Sequence, residues 1–273
     1  MIKGIEAVAA RVADNFMVAE GIYEMWLEAP GPAAKARPGQ FVMIRPAEGG
    51  RSYLRRPMGI YDVDRQGGQL AILYEVHGAG TERLALARKG DVLPLLAPLG
   101  NGFTIPEGLQ RALVIGGGIG VAPLYPLLCQ LKAAGVEAEL LLGAQCAERL
   151  LALDRLPRLG VPVQLYTDNG TMGKQGYPTD DLPRILREGC FGQSFQQVFC
   201  CGPMPLMRGV ARICEEAGVA CQVSLEERMG CGFGICVCCV VDVHDDSAEG
   251  GIVKRRVCYD GPVFDSREVI WHD

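Results

Sequence analysis

Apolar side chains recur at every second residue at Tyr23, Met25 and Leu27, with Glu24, Trp26 and Glu28 between them. This is the period of a strand with one buried face. Phe41–Ile44 follows a Pro38-Gly39 turn, and Ile60–Val63 and Leu70–Tyr74 flank the turn-rich Asp64–Gly68, a hairpin signal. Short strands separated by Gly/Pro turns over the first hundred residues predict a small antiparallel barrel.

From Arg111 the pattern changes. The continuous apolar run Ala112–Ile115 leads into Gly116-Gly117-Gly118-Ile119-Gly120 and then a helical stretch over Val121–Ala134. Further apolar strands are expected at Ala138–Leu142, Val163–Tyr166, Val198–Cys201 and Gln222–Leu225, with helical patterns at Leu182–Glu188 and Pro205–Ala217. Strands alternating with helices imply βαβ units and a parallel sheet. After Glu227 a Cys/Gly-rich loop leads into Val240–Val243, a polar stretch at Asp245–Gly251 and then Arg255–Cys258, in a tail with too few large apolar side chains to fold unaided. The expected fold class is therefore α+β and multidomain, divided at 1–105, 106–226 and 227–273.

Charge and composition narrow the classes. The net charge is −5 with no long Lys/Arg block, which argues against a nucleic-acid partner. No apolar run approaches the ~20 residues of a membrane helix, and Met1–Glu6 lacks the pattern of a signal peptide. A cytoplasmic protein is expected, where 12 cysteines are unsuited to a disulfide framework. They are also clustered: the first 128 residues hold none, whereas Cys231, Cys236, Cys238 and Cys239 fall together.

Cys231, Cys236 and Cys239 are spaced C-x4-C-x2-C, with Cys258 as a distant fourth, the spacing of plant-type [2Fe–2S] clusters. Thiolates suit iron, and Gly232 and Gly234 let the backbone curl so that N–H groups face the sulfurs. The competing reading, structural zinc, usually presents two separated cysteine pairs. Cys238 adjoins Cys239 and competes with it, but the x2 spacing favours Cys239. Cys129, Cys146, Cys190, Cys200, Cys214 and Cys221 read as small buried hydrophobes.

The loop holding Gly116, Gly117, Gly118 and Gly120 sits where helix N–H groups favour a pyrophosphate. It departs from G-x-G-x-x-G, since Val121 takes the third glycine position, and no acidic residue ends the second strand. Alone it suits a nucleotide site and a tight structural turn equally well. A second loop, Cys201-Gly202-Pro203-Met204, follows another parallel strand and opens a helix. Two such loops at the carboxyl ends of one sheet point to nucleotide binding, with Cys201 placed either against the nicotinamide or merely buried at a strand end. Gln145, where an NADP-using protein often has arginine, leans to NAD.

In the barrel, Arg55-Arg56-Pro57-Met58-Gly59 and Gly78-Ala79-Gly80-Thr81 are chemically suited to a flavin, as an arginine can neutralise a pyrophosphate; a surface arginine beside a turn explains them as well. Together with the glycine loops and the cysteine set, these motifs make the whole chain resemble the electron-transfer subunits of the two-subunit, NAD-linked dihydroorotate dehydrogenases, within the ferredoxin–NADP reductase superfamily. The resemblance implies an FAD-binding barrel, an NAD-binding α/β domain and a [2Fe–2S] domain in that order. It maps the FAD motif to Arg56, Pro57, Met58 and Gly59, a flavin-contacting strand to Leu73, Tyr74 and Glu75, and a Gly-Thr contact to Gly80 and Thr81. It maps the nicotinamide motif to Cys201, Gly202 and Pro203, and the cluster ligands to Cys231, Cys236, Cys239 and Cys258. Gly59 departs from the family, which usually has a serine able to reach flavin N5.

The resemblance further implies an FMN-containing dihydroorotate dehydrogenase catalytic subunit as partner, in an assembly of two plus two. FAD then converts between the hydride of NAD(H) and single electrons of the cluster. The scattered His77, His244 and His272 suggest no catalytic triad and no metal site. Two other readings share these motifs: the same module serving a ferredoxin-dependent transhydrogenase or a sulfhydrogenase, and a non-enzymatic redox carrier or iron–sulfur sensor.

Overall fold

The computed structural model of the protein describes residues 5–46, 54–189, 193–248 and 250–272. Met1–Gly4, part of the segment read for a signal peptide, and Cys190 lie outside the described residues.

Strands β1 (Glu6–Ala19), β2 (Ile22–Glu28), β3 (Phe41–Ile44), β4 (Arg56–Asp64), β5 (Gln69–Glu75) and β6 (Val92–Leu99) close a barrel in the order β1-β2-β5-β4-β3-β6. Every pairing is antiparallel. Ala19 pairs with Ile22, so Glu20-Gly21 is a two-residue turn, and Gly21 takes the positive φ of +71° that such turns demand. The short helices α1 (Pro30–Lys35) and α2 (Ala79–Ala85) close the strand connections. Met25, Leu27, Val42, Ile44, Ile60, Leu70 and Ile72 fill the interior.

The alternation in β2 holds for Met25 and Leu27, which are buried, and for Glu28, which is exposed; Tyr23 and Trp26 are both half-buried, and Glu24 departs from it. Glu24 is only 3% exposed, because the outer face of the barrel is covered by the second half of the chain rather than by water.

That half is built on β7 (Arg111–Gly117), α3 (Val121–Ala133), β8 (Glu137–Ala144), α4 (Leu156–Leu159), β9 (Val163–Thr167), β10 (Lys174–Gln175), α5 (Pro178–Glu188), β11 (Gln197–Cys201), α6 (Met204–Glu216) and β12 (Ala220–Ser224). The strands form a parallel sheet in the order β10-β9-β8-β7-β11-β12. The chain works outward from β7 to β10 and returns beside β7 as β11, so the strand order reverses between β7 and β11, where open α/β sheets bind ligands.

Helix α3 is apolar on nearly all sides because it is covered on both: Leu124, Leu127 and Leu128 are fully buried, while Tyr125 packs against Tyr61 of the barrel with ring centroids 5.4 Å apart. Helix α6 is amphipathic, burying Met207, Val210, Ile213 and Cys214 on one face.

The tail adds a two-stranded ribbon, β13 (Val240–His244) and β14 (Ile252–Arg256), and a short β15 (Val263–Asp265) that pairs antiparallel with β12 at the edge of the large sheet. Cys239, Val257, Cys258 and Phe264 share one core with the sheet residues Val198 and Val223. The tail is thus fastened by a strand and by common burial. Among the described residues, no helix is long and apolar enough to cross a membrane.

Candidate functional site: two joined cavities and a paired set of thiols

The carboxyl ends of β7, β8, β9 and β11 surround a cavity of about 610 Å³ lined by Gly117, Gly118, Gly120, Gln145, Asp168, Gly202 and Pro203. Its two glycine loops are wedged together. A Cβ on Gly120 would strike the Cys201 carbonyl, and one on Gly202 would lie 3.0 Å from Gly117 Cα. Only glycine permits this approach, which leaves the helix N-termini open to the cavity. Gly116 does not reach it; its hydrogens face Leu142 and Leu124. Met204 opens α6 but does not line the cavity, being turned to the surface at 41% exposure.

A second cavity, about 620 Å³, lies where the barrel meets α3, lined by Arg55, Arg56, Pro57, Met58, Gly59, Leu73, Tyr74 and Thr81 together with Cys201. Within it the Arg55 Nε is buried with no hydrogen-bond partner. A buried guanidinium N–H left unsatisfied calls for an acceptor, and an anionic group such as a pyrophosphate supplies one. The donor set therefore fits a flavin dinucleotide, and it adds Arg55 to the Arg56 motif.

Gly80 is buried, and a Cβ there would collide with the Arg56 guanidinium, so Gly80 seats that arginine rather than lining the cavity. Thr81 Oγ1 accepts the N–H groups of His77 (2.9 Å) and Gly78 (3.3 Å), fixing the turn that leads into α2. A Cβ on Gly59 would meet nothing nearer than Pro123 Cδ at 3.7 Å. Gly59→Ser is accordingly expected to fold with a stability change below about 0.5 kcal/mol. Thermal unfolding and flavin content of the purified variant check this.

The two cavities join. Glu75, Ile119 and Glu226 line both. Glu75 Oε1 accepts from Arg149 Nη1 at 2.6 Å and its Oε2 faces His77 Nε2 at 3.1 Å, tying the barrel to the loop after β8. Cys201, 1% exposed, lines the flavin-side cavity; burial pushes its thiol far above the ordinary cysteine range, so it is a neutral S–H. Sequence reasoning passed over Asp168, Glu226, Ser224 and Tyr177, because their importance depends on which strand ends the topology gathers.

Below Cys201 the chain passes through Glu226–Gly230 into the cysteine loop. The thiols of Cys231 and Cys236 face each other across short N–H···S contacts, Cys231 N to Cys236 Sγ at 3.4 Å and Cys236 N to Cys231 Sγ at 3.5 Å. Phe233 N adds a third at 3.5 Å. Burial works against ionisation of Cys231, but the N–H groups of Cys236, Phe233 and Ile235 and the Cys236 thiol outweigh it and hold Cys231 down to about 6.

Cys239 and Cys258 form a second, buried pair, with Cys258 N donating to Cys239 Sγ at 3.4 Å; burial and then the adjacent Cys239 push Cys258 up to about 12. The four thiols thus lie as two pairs, Cys231 with Cys236 and Cys239 with Cys258, a donor set able to give each of two irons two terminal thiolates.

Gly234 has φ +87°, and its carbonyl accepts from Arg256 Nη1 at 3.1 Å, so the ribbon braces the loop. Cys238 is exposed while Cys239 is buried. Of the cysteines read as core, Cys200, Cys214 and Cys221 are buried, whereas Cys129 and Cys146 are only partly so.

Comparison with known proteins agrees with this arrangement. Residues 226–270 match the iron–sulfur cluster binding domain of dihydroorotate dehydrogenase B. The dihydroorotate dehydrogenase B (NAD(+)) electron transfer subunit of Desulforamulus reducens is 37% identical over 262 residues, covering 96% of this chain and 97% of that protein. That of Bacillus cereus (strain Q1) is 38% identical over 261 residues, covering 95% and 96%. Among solved structures, an NADH-dependent reduced ferredoxin-NADP oxidoreductase studied for flavin-based electron bifurcation superposes with a TM-score of 0.84 at 32% identity, covering 97% of this chain and 91% of that one. The cytochrome b5 reductase domain of Ulva prolifera nitrate reductase shares the fold alone, with a TM-score of 0.64 at 17% identity over 78% of this chain and 94% of that one. With a closed barrel, a parallel sheet and a paired cysteine set in one chain, and identity sustained from end to end, the protein belongs to the family of dihydroorotate dehydrogenase B electron transfer subunits.

Proposed function

We propose that the chain carries electrons between an FMN-containing dihydroorotate dehydrogenase subunit and NAD⁺, as a cytoplasmic NAD-linked oxidoreductase subunit of pyrimidine biosynthesis. The observation that carries this reading is the continuity of the site: the nucleotide and flavin cavities share Glu75, Ile119 and Glu226, and the segment Glu226–Met229 that lines the flavin cavity runs directly into the cysteine loop. When bound, FAD exchanges hydride with NAD(H) and single electrons with the [2Fe–2S] cluster.

The residues divide the work of binding among 1–105, 106–226 and 227–273. Arg55 and Arg56 neutralise the flavin pyrophosphate, and the strand segments Pro57–Gly59 and Leu73–Glu75 with Thr81 flank the ring system. Gly117, Gly118, Gly120, Gly202 and Pro203 open the nucleotide cavity, and Cys201 lines the flavin cavity as a neutral thiol. Cys231, Cys236, Cys239 and Cys258 hold the cluster. Cys236, Ile235 (72% exposed) and Val237 (57%) lie at the outer surface of the loop, which supports docking of the partner there. Anaerobic titration with NADH tests the core of the proposal: the flavin band bleaches, followed by the paramagnetic signal of a reduced cluster. Bleaching of neither overturns it.

Asp168, at the carboxyl end of β9 and facing the nucleotide cavity, supports NAD over NADP, since a carboxylate there repels a 2′-phosphate. Asp168→Ser is expected to raise NADPH use relative to NADH about tenfold, as on the order of 1.4 kcal/mol of repulsion is removed. Steady-state diaphorase assays with both nucleotides measure the ratio.

The 32% identity to the bifurcating oxidoreductase supports a second reading, the same module serving a ferredoxin-linked transhydrogenase. Reduction of the chain's flavin by reduced ferredoxin, and not by dihydroorotate with its dehydrogenase, would favour that partner.

A further inference from the structure

Among the described residues, four charged side chains line the nucleotide cavity: Glu75, Asp168, Glu226 and Arg149. Three of them are acids, so their charge opposes the phosphates of a dinucleotide. The N–H groups at the head of α3 offset part of this, and Arg149 is the one cation.

The sheet dictates where Arg149 stands. Gly143 of β8 lies beside Gly117 of β7, so the turn after β8 runs next to the glycine loop. Arg149 sits in that turn. Ala147 N anchors it by donating to Thr171 Oγ1 at 2.9 Å, and Leu150 is buried on its far side.

Arg149 is already engaged. Its Nη1 donates to Glu75 Oε1 at 2.6 Å, across the gap between sheet and barrel. The two side chains are 35% and 27% exposed. Water screens such a bridge, which biases an equilibrium by about fivefold at most. A guanidinium–phosphate hydrogen bond is charge-assisted and worth on the order of tenfold or more. An exchange of partners also leaves no carboxylate stranded, because Glu75 Oε2 keeps His77 Nε2 at 3.1 Å.

We propose that Arg149 is the pyrophosphate-binding residue of this cavity, held in reserve by Glu75, and that an entering dinucleotide opens the Glu75–Arg149 bridge. This holds if the cavity takes NAD(H) as proposed above, and no covalent step is involved. Glu75 ends β5 and lines the flavin cavity as well. Nucleotide entry therefore unties the flavin barrel from the loop after β8, and nucleotide departure ties it again. In the empty protein Glu75 competes with the phosphates for the guanidinium and weakens nucleotide binding.

Calorimetric binding of NAD⁺ and of ADP-ribose to the oxidised holoprotein tests this without turnover. ADP-ribose carries the same pyrophosphate but no nicotinamide, and its binding stays readable even where a variant carries less flavin. Arg149→Met is expected to weaken both ligands equally, by about tenfold or more. Arg149→Lys keeps the charge without the planar fork and should recover part of the loss. Glu75→Gln removes the competitor and should tighten both ligands by about threefold. In the Arg149→Met background the same change should have little effect, because no cation is left to release. Melting temperatures are expected to stay within about 4 °C of the unaltered protein, since the bridge is part-exposed.

Binding of both ligands by Arg149→Met within about twofold of the unaltered protein would overturn the proposal. So would weaker binding in Glu75→Gln, or equal tightening by Glu75→Gln with and without Arg149. A loss confined to NAD⁺ would also overturn it, by placing Arg149 at the nicotinamide. Failure of the unaltered protein to bind NAD⁺ would instead overturn the nucleotide reading beneath it, and is seen without any variant.

Discussion

Serine in place of Cys236 or Cys239 removes the cluster and uncouples the chain from its partner while leaving its flavin chemistry with NADH intact. Iron should fall from about two per chain toward none, since each iron of a [2Fe–2S] centre depends on two terminal thiolates. Electron transfer to or from the partner should drop by at least about 100-fold, beyond the 10–100-fold typical of losing a mere supporting contact. NADH should still bleach the flavin within about twofold of the original rate, because none of the four cysteines lines either cavity.

The neighbouring Cys238→Ser is the control. Cys238 is exposed and outside both thiol pairs, so iron content, visible spectrum and coupled turnover should all be retained. Loss of iron in Cys238→Ser with retention in Cys239→Ser would reverse the assignment.

The second large effect is structural. Arg155 reaches from the segment before α4 onto the barrel, where it bonds Glu24, donates to Asp62 Oδ2 at 2.7 Å and lies over the rings of Tyr61 (4.9 Å), Trp26 (5.8 Å) and Tyr125 (5.8 Å). Its side chain is 16% exposed and that of Glu24 only 4%. Arg155→Ala strands a buried carboxylate, and breaking such a pair costs about 3–5 kcal/mol. Melting should fall by roughly 10 °C, at 2–4 °C per kcal/mol for a chain of this size class.

The pH dependence has a definite sign. Burial raises Glu24 above its ordinary value even with Arg155 lowering it, so the folded state binds this proton more readily than the unfolded chain. Removing Arg155 raises Glu24 further. The deficit of Arg155→Ala is therefore greatest above the folded-state value and shrinks as pH falls through it and Glu24 becomes neutral. Adding Glu24→Gln should recover much of the loss at neutral pH. A loss of less than about 1 kcal/mol in Arg155→Ala would mean that the network is ornamental, as most exposed ion pairs are.

This network also marks where sequence reasoning stops. The period-two pattern of β2 correctly sends Met25 and Leu27 inward, but it treats Glu24 as solvent-facing, because nothing in the local sequence says that another domain will cover it. The glycine loops, the cysteine spacing and the flavin motif are legible because each is a short segment whose chemistry depends on its own residues.

Asp168 and Glu226 are silent for the opposite reason: each gains meaning only when parallel strands bring their carboxyl ends together. Gly80 and Gly116 show the converse, since a motif reads them as cofactor contacts whereas the backbone uses them to seat Arg56 and to pack against Leu142 and Leu124. Strand β15, three residues long, is too short for any periodicity, yet it fastens the tail to the sheet.

The central claim is that electrons from dihydroorotate pass through this chain to NAD⁺. The most direct measurement is anaerobic, dihydroorotate-dependent NAD⁺ reduction by the tagged chain purified from its own host. Activity should co-purify with a second, FMN-containing chain and be lost in Cys236→Ser. Bleaching of flavin and cluster by NADH, with no reduction of either by dihydroorotate in the same preparation, would contradict it.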